Sequence, residues 1–162
     1  MAIEPWLSGT LTDVEPVGRA VLHSLQMARE DVGLWGEGLS EEQMFSRPAG
    51  LPSVAFQLRH IVRSLDRLLT YAEGQQLSEA QISALKSEMD DGSKEEVWQE
   101  FLAGIAQAES RVRDIQPESF SESRGVGRKM LPTTAVGLLI HCAEHTQRHV
   151  GQMITTVKIL RA

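Results

Sequence analysis

His141-Cys-Ala-Glu-His145-Thr-Gln-Arg-His149-Val-Gly-Gln152 is the stretch around which this 162-residue chain is organised. Its three histidines recur every four residues. On an α-helix that spacing stacks them along one face, each step offset by about 40°. The flanking residues keep the same period, with Val136, Leu139, Ile140 and Ala143 before and Val150, Ile154 and Val157 after. Apolar residues at that spacing predict a long helix over 134–160, capped by Thr133 or Thr134. Those apolar residues form its buried side. The histidines lie on the edge of that side, flanked by Leu138 and Met153.

Two imidazoles at i and i+4 can close on one divalent ion. A third ligand from a neighbouring helix would give a three-histidine site with open positions, which suits catalysis; a closed four-ligand site suits structure. The same spacing also arises as the polar edge of an amphipathic stripe. Metalloprotease helices carry Glu directly after the first His, whereas Cys142 follows His141 and Thr146 follows His145. The missing base argues against a zinc protease. The remaining histidines are His23 and His60.

Three further long helices are expected. The first runs over 14–36, with Asp13 as N-cap and an apolar face of Val17, Val21, Leu25, Ala28, Val32 and Trp35. His23 is off that stripe and reads as a surface or satisfied edge histidine. The second runs over 54–73, from a Ser53 cap to Gly74, on Val54, Leu58, Ile61, Val62, Leu65, Leu68 and Leu69. His60 sits on the shoulder of that face, in line with Phe56, Ser64, Arg67 and Tyr71. The line either faces water or walls a wet cleft. The third opens at the capping box Ser93-Lys-Glu-Glu96 and runs to about Ile115 on Val97, Phe101, Ile105, Ala108 and Val112, with Trp98 alongside.

The connections are irregular. Ser40-Glu-Glu-Gln43 predicts a short helix, and Ser78-Glu-Ala-Gln81 another to about Met89, closed by Asp90-Asp91-Gly92. The polar loop Pro117 to Pro132 contains Gly125-Val-Gly127, enough for a tight turn or short hairpin. No strand precedes it, so a dinucleotide site is rejected. Residues 1–12 read as an N-terminal arm on a single domain spanning 1–162, with Trp6 and Leu7 available to pin it.

Composition narrows the function. A net charge of −6 without a basic block argues against nucleic acid as a partner. No apolar run reaches the length of about 18 residues that a membrane span needs, and the first residues lack signal-peptide character. Cys142 is the sole cysteine, which fits a reducing, cytoplasmic setting and reads as a small buried residue.

Leu58-Arg-His60-Ile, Leu65-Asp-Arg67-Leu-Leu-Thr-Tyr71 and Glu144-His145-x-x-x-His149-x-Gly151-Gln152 resemble the DinB-like (DinB/YfiT) family, over about residues 16–160. The resemblance implies an all-α four-helix bundle with a long crossover between the second and third long helices, which then run parallel. It also implies a metal held by His60, His145 and His149. His141, a turn away, could contact substrate. Arg67 and Tyr71 are candidates to hold an anionic group, and Glu144 and Gln152 to orient the imidazoles.

Characterised members include S-transferases that use bacillithiol, mycothiol or glutathione, and a mycothiol-dependent isomerase. The expected function is thus a metal-dependent enzyme on a small molecule, with zinc or nickel as the ion and a low-molecular-weight thiol as co-substrate. The alternatives are a metal-dependent hydrolase and a non-catalytic metal-binding or stress-response bundle. The resemblance also implies a homodimer, with Trp6 and Trp98 available for an interface or for burial within the monomer.

Overall fold

Each of the four periodic stretches is a long helix in the structure, a computed structural model that describes residues 3–90 and 92–162. Met1 and Ala2 of the expected arm, and Asp91 of the Asp-Asp-Gly stop, lie outside the described residues. In chain order the elements are α1 (Pro16–Gly36), α2 (Glu41–Phe45), α3 (Val54–Ala72), α4 (Glu79–Lys86), α5 (Lys94–Asp114), β1 (Ser123–Val126), β2 (Leu131–Thr134) and α6 (Ala135–Leu160). The fold is an all-α helical bundle carrying one small antiparallel hairpin.

The caps follow the sequence closely. Ser40, Ser78 and Ser93 each close a capping box, and Ser53 and Thr134 cap α3 and α6. α1 differs: its cap is Glu15, whose carboxylate accepts from the Val17 and Gly18 amides. Pro16 is the reason. The residue before a proline is driven to extended backbone, so Glu15 sits at ψ 158 and the helix cannot begin at Val14 as expected. α4 also ends early, at Lys86 rather than Met89. Arg63 Nη1 draws on Ala84 O at 2.8 Å and Ser87 Oγ at 3.1 Å, and the chain turns there.

Cross-helix pairs fix the directions. Arg63 binds Glu100 while Arg111 binds Asp66 and Glu73, so α3 and α5 run parallel. Ser24 meets Ala143 and Gln147, and Arg161 reaches the Trp35 carbonyl, so α1 and α6 also run parallel. Gln57 meets Gln152 and Thr156 bonds Pro52 O, which makes α3 and α6 antiparallel. The order is therefore up, down, down, up, and residues 73–93 form the long crossover that parallel neighbours require.

α3 is the central helix. Thirteen of its nineteen residues are buried, Gln57, Arg59, Ser64 and Thr70 among them. Its apolar residues join Leu25, Phe101, Ile105, Leu139, Val150 and Met153 in one core. The α5 stripe is buried as expected. On α6 the buried stripe is Leu139, Cys142, Thr146, Val150, Met153 and Val157, and Ile140 lies one step around from it, 54% exposed rather than buried.

One further expectation is corrected. Trp6 and Leu7 do not pin the arm; both are exposed and Pro5 is the buried residue. Trp98 packs against the core, over Gly36. The hairpin pairs Ser123 with Thr134 and Val126 with Leu131, and Arg124 Nε ties it to Ala72 O at the end of α3. Among the described residues no helix is long and apolar enough to cross a membrane.

Gly104 sets the spacing between α3 and α5, since a Cβ there would lie 2.5 Å from Val62 Cβ. Overpacking costs about 1–3 kcal/mol, against a helix-propensity gain of about 1 kcal/mol for Ala over Gly. Gly104→Ala is expected to lower stability by roughly 1 kcal/mol on balance, measured by urea denaturation. An increase would show that the helices separate freely.

Candidate metal centre

The antiparallel register of α3 and α6 brings His60 opposite His145 and His149. Ring centroids lie 5.1 Å (His60 to His145), 4.4 Å (His60 to His149) and 4.4 Å (His145 to His149) apart. One nitrogen from each of the three lies within 4.8 Å of the others. No fourth His, Cys, Asp or Glu among the described residues joins the group.

Two of the three rings are oriented from behind. His60 Nδ1 is 2.7 Å from Glu88 Oε2. An ionised carboxylate only accepts, so Nδ1 carries a proton, and in the neutral ring Nε2 then keeps its lone pair. His149 Nδ1 donates to Gln57 Oε1 at 2.7 Å, and Gln57 Nε2 donates to Gln152 Oε1 at 3.1 Å. Glu88 is a buried carboxylate. Burial pushes its pKa up, but the hydrogen bonds from His60 and Arg67 outweigh that and hold it below the usual range.

Electrostatics keep two of the rings neutral. His145 and His149 are each pushed down from 6.5 to about 4, first by burial and then by the positive charge that neighbouring imidazoles would carry. Neutral imidazole is the ligand form. Three imidazole nitrogen donors with open space beside them fit a borderline-soft divalent ion and not magnesium or calcium, which take oxygen.

A cavity of about 270 Å³ adjoins the cluster, lined by Ser64, Arg67, Leu68, Tyr71, Leu77, Leu85, Val126, His141 and His145. A second, also about 270 Å³, lies behind Phe56, which stacks on His60 at 5.3 Å.

The structure separates the other sequence candidates. Tyr71 is buried in the cavity wall. His141 is half-exposed beside His145, with Nδ1 2.6 Å from Glu144 Oε1. Glu144 thus serves His141 on the outside of α6 and does not orient the cluster. Gln152 accepts from Gln57, which holds His149. Arg67 is held by Glu88 Oε1 at 2.9 Å and Ser64 Oγ at 2.9 Å. His23 is buried away from the cluster, 3.2 Å from Thr10 Oγ1. Cys142 is buried, and burial pushes its thiol up to about 12.

Gln57 and Glu88 are absent from the sequence reading. A glutamine between Val54 and Ile61 on an apolar stripe is a visible signal for the first. Glu88 follows a short helix in an irregular segment and carries none.

Against this geometry, the family model for the DinB superfamily matches residues 24–153. No match was found among curated proteins.

The lowered histidines make a statement about stability. Between pH 6.5 and about 4 the unfolded chain binds protons that the metal-free fold refuses, so stability falls as pH falls. Urea midpoints of the metal-free protein are expected to drop through that window. His145→Asn and His149→Asn should each flatten the slope; an unchanged slope would place the rings in water.

Proposed function

The chain belongs to the DinB superfamily, and from that membership we propose that it is a metal-dependent enzyme acting on a small molecule. The reading is carried by one observation: His60, His145 and His149 converge, with no fourth ligand among the described residues, beside a cavity of about 270 Å³. They are the proposed ligands, with zinc or nickel as the ion, in a cytoplasmic protein.

When bound, a divalent ion on three neutral imidazoles would supply the positive charge that lets a thiol or water lose its proton near neutral pH. The protein's own groups do the rest. Leu68, Leu77, Leu85 and Val126 give the adjoining cavity apolar walls that limit water beside the reacting atoms. Tyr71 offers a hydroxyl in the cavity wall for orienting a polar substrate group. His141, at the mouth, can take or return a proton through its ring. Among the described residues the two carboxylates hydrogen-bonded to these histidines are already engaged, Glu88 by His60 and Arg67 and Glu144 by His141. That favours a nucleophile acidified by the ion, and a thiol needs less help than water: a free thiol has a pKa of about 8.5 and bulk water about 15.7. S-transfer from a low-molecular-weight thiol is therefore the leading reaction, with hydrolysis as the second.

Metal analysis of protein purified without an affinity tag should give one transition-metal ion per chain. His60→Ala, His145→Ala and His149→Ala should each lose it, and His23→Ala should retain it. Absence of uptake on reconstitution would sink the reading. Metal-loaded protein should then accelerate conjugation of bacillithiol, mycothiol or glutathione to a small electrophile. Cys142→Ala should keep that rate, since the thiol is buried and inert, while His149→Ala abolishes it. Ester or amide hydrolysis with no conjugation would decide for water. A homodimer is also proposed, with exposed Trp6 as its contact; light scattering near 18 kDa rather than twice that would contradict it.

A further inference from the structure

Glu88 stands between two groups that both donate to it. Its Oε1 accepts from Arg67 Nη1 at 2.9 Å and its Oε2 from His60 Nδ1 at 2.7 Å. A guanidinium has no acceptor atom, so Arg67 can never be the receiving partner. Ser64 Oγ accepts from Nη2 at 2.9 Å and keeps the guanidinium facing Glu88. Glu88 is 5% exposed and also borders the cavity behind Phe56. Glu88 also belongs to residues 73–93, the crossover, whereas His60, Ser64 and Arg67 are on α3.

We propose that Arg67 and Glu88 are positioning residues that together fix the tautomer of His60, and so tie metal binding to docking of the crossover. The proposal rests on the three-histidine reading for the metal. It gives Arg67 a task different from holding a substrate anion. Arg67 occupies one carboxylate oxygen and leaves the other to take the proton on Nδ1. Nε2 then faces His145 and His149 with its lone pair free.

The isosteric amide exposes this logic. Glu88→Gln supplies one acceptor and one donor in place of two acceptors. Arg67 takes the amide oxygen, since it can take nothing else. The NH2 group then faces His60 Nδ1, which becomes the acceptor, and the proton moves to Nε2. The nitrogen meant for the metal is thereby blocked. Removing Arg67 in the same chain frees the amide oxygen to turn back to Nδ1–H, so Arg67→Met should rescue Glu88→Gln.

The test is ¹⁵N-histidine NMR of metal-free protein at about pH 8.5, roughly two units above the ordinary imidazole pKa. Wild type should show His60 as the Nδ1–H tautomer, Glu88→Gln as Nε2–H, and the double variant as Nδ1–H again. Zinc affinity, measured by chelator competition, should fall roughly 10–100-fold in Glu88→Gln and recover in the double variant. Zinc should also slow hydrogen exchange across 79–86 in wild type and not in Glu88→Gln, because coupling between two binding events is reciprocal. A wild-type His60 protonated on Nε2 overturns the proposal, and so does Glu88→Gln with an unchanged tautomer and wild-type zinc affinity. If Glu88→Gln does not fold, the wild-type spectrum still decides. If wild type takes up no zinc, the three-histidine reading fails by itself, while the tautomer result still judges the positioning claim.

Discussion

The burial of α3 governs the rest of the structure. A helix packed on nearly every side cannot leave side-chain polar groups to water, and each unpaired one would cost about 1–3 kcal/mol. α3 nevertheless carries Gln57, His60, Ser64, Arg67 and Thr70. Ser64 is satisfied by Arg67 on the same helix, and the partners of the others come from other elements: Gln152 and His149 from α6, Glu88 from the crossover, Gln81 from α4, and Arg111 from α5. Each such bond sets a register between α3 and a neighbour. The cluster of three imidazoles exists because the register with α6 is set at Gln57 and again at Thr156.

This explains what could be read from sequence. The long helices were legible because their signals are local: a cap, a period of three to four apolar residues, a glycine or proline stop. The boundary that moved, from Val14 to Pro16, moved through the effect of a proline on the residue before it. His145 and His149 were legible for the same reason, being one turn apart on one helix. His60 was reachable through the resemblance and through its place on a shoulder facing another shoulder.

The rest depends on contacts far apart in sequence. Glu88 meets His60 across 28 positions and Gln57 meets His149 across 92. Periodicity says nothing about which irregular residue a crossover folds inward. Ile140 shows the same limit on a helix. Its hydrophobicity fits the stripe, but α6 is covered along Leu139, Cys142, Thr146 and Val150, and coverage is a property of the neighbours. Glu144 obeys the same limit: it is one residue from His145, about 100° of rotation on a helix, and its carboxylate meets His141 on the outer side.

The two oriented rings are not held alike, and the difference bears on chemistry. His60 leans on a carboxylate, whose charge raises the donor strength of the opposite nitrogen; His149 leans on a neutral amide. Arg67 offsets the charge of Glu88, and Arg148 adds positive charge near His145 and His149. A divalent ion held there would keep most of its charge uncompensated by protein. Such a centre draws anionic reactants and acidifies neutral ones. A thiol, already within about two units of ionising at neutral pH, gains most from that arrangement.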